Sequence, residues 1–136
     1  MKHPRILLLA ILLMIAIIFI NVNHPSINCD FATRVFLKYH YGTKDINTQI
    51  VDKNDFEFLK NTLAGRSYKD KPSCGFTTDI AITLTNGKQS ITFCPACDDC
   101  PVLRVNKTDR YIAISEKKRK QLDAILSKYG VIFPCI

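Results

Sequence analysis

Residues 79–94 read Asp-Ile-Ala-Ile-Thr-Leu-Thr-Asn-Gly-Lys-Gln-Ser-Ile-Thr-Phe-Cys, and this stretch decides the fold. Asn86-Gly87 is the pair that a two-residue hairpin loop selects, because both central positions of a type I′ turn need φ > 0. Apolar residues alternate on either side of it. The spacing predicts strands over 79–85 and 88–94, with Thr85 opposite Lys88, Ile82 opposite Ile91 and Ile80 opposite Phe93. That register gathers Ile80, Ile82, Leu84, Ile91 and Phe93 on one face and leaves Ala81, Thr83, Ser90 and Thr92 on the other. Turn chemistry and hydrophobic pattern agree, as a well-specified register requires.

Working outward, Arg34 to Tyr41 alternates with Val35, Leu37, Tyr39 and Tyr41 on one face, the period of a strand. Gly42, Thr43 and Lys44 turn the chain into a second strand around Ile46 to Val51. Asn54 with Glu57 three residues on has the form of a capping box, so a helix is expected there. Phe56, Leu59 and Leu63 form its apolar face, and Gly65 is the expected stop. On the other side of the hairpin, Val102–Val105 and Tyr111–Ile114 predict a further hairpin around Asn106 to Arg110. Ser115 then caps a helix whose stripe is Leu122, Ile125, Leu126 and Tyr129, closed by Gly130. The order strand, strand, helix, three or four strands, helix implies an α+β domain: a small antiparallel sheet with helices on one face.

The N-terminus adds a different element. Lys2 and Arg5 precede fifteen apolar residues, Ile6 to Ile20, with no polar face. A basic start and an apolar run of roughly 7–15 residues fit a secretory leader. Asn21, Val22, Asn23 and His24 supply no small-residue cleavage site, which favours an uncleaved anchor through the lipid bilayer over 6–22. Basic residues hold the short N-terminal side in the cytoplasm. The expected organisation is a basic segment over 1–5, an anchor or signal peptide over 6–22, a spacer over 23–30 and an extracytoplasmic domain over 31–136. The location is then a single-pass membrane protein or, if the leader is cleaved, a secreted one. Without Lys2 and Arg5, 17 basic residues face 12 acidic ones, a net of +5. Outside the membrane that balance suits a protein partner or an anionic envelope surface, not nucleic acid.

Six cysteines lie beyond the leader: Cys29, Cys74, Cys94, Cys97, Cys100 and Cys135. An even number in an oxidising compartment is first read as structural disulfides, here three, with the connectivity open. Cys94 stands opposite Asp79 in the expected register, so the loop carrying Cys74 can fold back to Cys94 or its neighbours. Cys94-Pro95-Ala96-Cys97 has redox spacing, but its first cysteine ends a strand instead of opening a helix. Asp98 and Asp99 also oppose thiolate formation there. Cys94, Cys97 and Cys100 repeat every three residues, and with Asp98 and Asp99 they form an alternative set for Zn or Cu.

Other chemistry is sparse. Of three histidines, His3 and His24 flank the leader and His40 falls on a strand beside tyrosines, so no Ser–His–Asp or Cys–His set is suggested. The five glycines are scattered, without a phosphate loop. Lys117, Lys118, Arg119 and Lys120 form a charge run for anionic headgroups or an acidic partner. Phe36 with Tyr39 or Tyr41 offers an aromatic contact face, or core packing. The expectation is a non-enzymatic, disulfide-stabilised binding module, tethered or secreted and without a cofactor; the alternative is a thiol- or metal-handling protein using residues 94–100.

Overall fold

The deciding hairpin forms, with its strands over Ile80–Thr85 (β5) and Ser90–Pro95 (β6). Its loop is longer than expected. Thr85 pairs with Ser90, Leu84 with Ile91 and Ile82 with Phe93, a slip of two residues from the two-residue-loop register. The cause is side-chain chemistry in the turn. Asn86 Oδ1 accepts the amides of Lys88 at 2.9 Å and Gln89 at 2.8 Å, while Thr85 Oγ1 donates to Gln89 O at 2.7 Å and accepts the Gly87 amide at 2.9 Å. Asn and Thr side chains thereby stand in for a backbone turn and widen the loop to residues 86–89. Because side chains alternate with period 2, a slip of two leaves every residue on its expected face.

This is a computed structural model, and it describes residues 4–132. The remaining elements are α1 (Pro4–Asn23), β1 (Ser26–Ile27), β2 (Arg34–Tyr41), β3 (Lys44–Ile50), α2 (Lys53–Thr62), β4 (Gly65–Tyr68), β7 (Val102–Val105), β8 (Tyr111–Ala113) and α3 (Glu116–Lys128). The eight strands form one antiparallel sheet in the order β1-β4-β8-β7-β6-β5-β2-β3. The α+β class is as expected; the sheet is larger. Two strands escaped the sequence reading. β1 lies inside residues 23–30, read as spacer, and β4 is Gly-Arg-Ser-Tyr, too short and polar to show alternation.

The helix caps follow the same local rules with one shift. Asp52, not Asn54, caps α2: its carboxylate accepts the amides of Asn54 at 2.9 Å and Asp55 at 3.1 Å. An Asp is as good a cap as Asn, and the earlier position won. Leu63 closes that helix, and Gly65 opens β4 instead. Ser115 caps α3 as expected, and Gly130 follows it at φ 95°, where a Cβ would lie 2.9 Å from Ile46 Cδ1. The left-handed backbone calls for glycine there, whereas the Ile46 side-chain tip can shift.

Val35, Leu37 and Tyr39 of β2, Ile80, Ile82 and Leu84 of β5 and Phe93 of β6 meet Leu59, Leu63, Leu122 and Leu126 of the two helices in one buried core. Tyr39 is fully buried and its hydroxyl donates to Ile132 O at 3.4 Å, so it is core and not contact surface. Phe36 is half-buried and Tyr41 is exposed on the same sheet.

Residues 4–23 are helical, and the large apolar side chains between Ile6 and Ile20 are 42–68% exposed. Among the described residues no helix is long and apolar enough to cross a membrane. Over the expected span 6–22 a helix extends about 26 Å at 1.5 Å per residue, against a hydrocarbon core of about 30 Å, a mismatch that local thinning of the bilayer absorbs. The spanning helix expected over 6–22 is not met among these residues.

Candidate functional site

Most of the residues singled out for chemistry converge on one corner, where the chain leaves β6. The segment 95–101 passes over the open end of the sheet and is held from two sides. From one side, the loop between β4 and β5 reaches in. Cys74 is bridged to Cys100 with a Cα–Cα distance of 5.9 Å, the Cys97 amide donates to Gly75 O at 2.8 Å, and Asp98 Oδ2 accepts the Gly75 amide at 2.8 Å. Thr77 Oγ1 lies 3.3 Å from Cys97 Sγ. From the other side comes Arg119 of α3, 2% exposed. Its guanidinium donates to Asp123 Oδ1 and to Ala96 O at 2.8 and 2.7 Å, and to Cys100 O.

Arg119 was expected on the surface with Lys117, Lys118 and Lys120. The lysines are exposed, whereas Arg119 lies one helical turn before Leu122 and so joins the buried stripe. Its planar fork binds the backbone carbonyl of Ala96 and that of Cys100, which also accepts the Val102 amide at 2.7 Å. Of the four basic residues, only Lys117, Lys118 and Lys120 are exposed.

The six cysteines divide. Cys74–Cys100 is the one bridge among the described residues; Cys29, Cys94 and Cys97 are buried thiols, and Cys135 lies outside the described residues. The register slip carries Cys94 along its strand, away from Asp79, to face Arg104 of β7. Tyr68, Tyr111, Arg104 and Cys94 follow one another across β4, β8, β7 and β6 on the face away from the main core. Phe76 covers this row, its ring 5.4 Å from that of Tyr111 and 5.7 Å from the Arg104 guanidinium. Burial raises the Cys94 thiol above its ordinary value, although the Arg104 cation opposes it. Cys29 is pushed up to about 11 by burial and, secondarily, by the Asp30 charge. Both thiols are therefore held in the protonated form at neutral pH.

Cys94, Cys97 and Cys100 are not brought together as a ligand set among the described residues. The cluster that does form is Cys74, Asp98 and Cys100, with ligand atoms within 4.8 Å of one another, and two of its sulfurs are joined to each other. Asp98 and Asp99 thus separate in role. Asp98 ties the two loops together, while Asp99, at φ 55°, faces a cleft of about 350 Å³ that it shares with Pro101, Glu116, Arg119, Lys120 and Asp123. Desolvation raises the Asp123 carboxyl, Arg119 opposes this, and Asp99 adds to it. Asp123 was legible as the i+4 acidic partner of Arg119; the cleft was not, since it needs the loop and the helix side by side. The residues lining it include no histidine, serine or cysteine among the described residues.

No protein family, curated protein or solved structure matches the chain.

Proposed function

We propose that this protein is a membrane-tethered extracytoplasmic module that works by binding a protein or an anionic envelope surface and not by catalysis. The observation that carries the reading is α1: a helix apolar on every side, its large side chains uncovered, joined to a folded domain. Leaving so much apolar surface in water is unfavourable by about 25 cal/mol per Å², and a bilayer or export machinery removes it. With α1 as signal anchor over 6–22 and Lys2 and Arg5 on the cytoplasmic side, the domain faces an oxidising compartment. There a Cys74–Cys100 bridge with a sequence separation of 26 is worth about 3.5 kcal/mol. A cleaved leader gives the same domain in secreted form.

A second reading is favoured by one observation, the approach of Asp98 to the bridged sulfurs. Reduction of the bridge by a dithiol reductant, which is itself oxidised to a disulfide, yields two thiols beside a carboxylate, a mixed sulfur–oxygen set for Zn or Cu. A peptide map of the purified, unreduced protein with metal analysis separates the two. The binding-module reading expects a Cys74–Cys100 cross-linked peptide pair and no bound metal. Free Cys74 and Cys100 with stoichiometric zinc or copper would replace it with the second reading.

A further inference from the structure

The joint between α1 and the sheet has no slack. Only His24 and Pro25 separate the helix from β1. The His24 amide continues the helical pattern by donating to Ile20 O at 2.8 Å. Pro25 O then accepts two hydrogen bonds from one residue of β4, the Ser67 amide and the Ser67 hydroxyl, both at 3.0 Å. Ser67 is 1% exposed, and Arg110 donates to its hydroxyl at 3.2 Å. In the next register position Ser26 pairs with Arg66. A stretch that would act as a flexible spacer is therefore sewn into the edge of the sheet.

We propose that the β1–β4 edge lies on the anionic headgroup surface of the membrane, held there by this rigid joint. The inference rests on the anchored reading above. If α1 is in the bilayer, two residues of chain reach at most about 7 Å, so the edge that they enter stays at the interface. The chemistry of that edge fits. Residues 66–71 carry exposed Arg66, Lys69 and Lys71 against Asp70 alone, a local excess of two positive charges. Cations next to a membrane segment are drawn to anionic lipid, with an attraction that fades beyond a Debye length. The opposite edge, β3, is seven strand spacings away, about 34 Å along the sheet, and stays clear of the lipid.

The test is amide hydrogen exchange on the full chain reconstituted into vesicles of phosphatidylcholine alone or with phosphatidylglycerol. Flotation of the vesicles is scored first. Exchange over 66–73 should slow about tenfold in the anionic vesicles relative to the zwitterionic ones, with β3 unchanged. The slowing should disappear in high salt and in Arg66→Glu/Lys69→Glu, whose exchange in the core strands reports that it still folds. A chain that floats but shows equal exchange over 66–73 in both lipids overturns this inference alone. A chain that does not float overturns the anchored reading and this inference with it.

Discussion

At Arg119 a full positive charge is taken out of water and given three acceptors in return, one carboxylate and two backbone carbonyls. Removing the side chain takes this cation from the Asp123 carboxylate and the Ala96 carbonyl, while Cys100 O keeps the Val102 amide, so Arg119→Ala should lose about 3 kcal/mol in urea unfolding. Glutamate at Lys117, Lys118 or Lys120 should change stability by no more than about 0.5 kcal/mol each. Similar losses at all four positions would return Arg119 to the surface. Part of this was legible in the sequence: Arg119 stands three residues before Leu122, on the stripe that buries Ile125 and Leu126. Four adjacent cations masked that period. The carbonyls of Ala96 and Cys100 could not be read at all, because only the tertiary path of the 95–101 segment delivers them.

The elements hold together through local polar rules whose positions shift by a residue or two. The C-terminal turn of α3 is pinned to the start of α2 by Lys128, which meets Asp55 at 2.8 Å and Asp52 at 3.3 Å, while the Tyr129 hydroxyl donates to Asp55 at 3.1 Å. The Asp55 amide, followed by Lys128, holds the Asp52 carboxyl below its ordinary value of 3.8. A depressed carboxylate stabilises above its unfolded value and loses that contribution as pH falls through its folded one. The stability difference between the native chain and Asp52→Ala should therefore be constant from pH 7 to about 5 and shrink below about pH 4, as followed by urea midpoints. A difference independent of pH down to 2 would remove the charge on Asp52 from the account. The hairpin teaches the same lesson as the cap. Faces were readable from period 2, whereas register was not, because the Asn86 and Thr85 side chains bond inside the turn and lengthen it by two residues.

Across the whole molecule, the α+β class, six of the eight strands and both domain helices follow from alternation, turns and caps in the sequence. β1 and β4 do not, since two-residue and four-residue strands are stabilised by their neighbours and carry no period of their own. Those same two strands join α1 to the edge of the sheet, so the joint with the largest bearing on the proposed location was the least legible. The cysteines show a parallel limit: an oxidising compartment suggested bridges, but which sulfurs meet depends on the loop 69–79 crossing to residue 100.

The central claim is that everything after α1 lies outside the cytoplasm. A membrane-impermeant amine reagent applied to intact cells tests it directly, with Lys117, Lys118 and Lys120 as exposed reporters that do not require the domain to unfold. The account predicts that these lysines are modified before lysis to the same extent as after it. Modification only after lysis would place the domain in the cytoplasm and contradict the account.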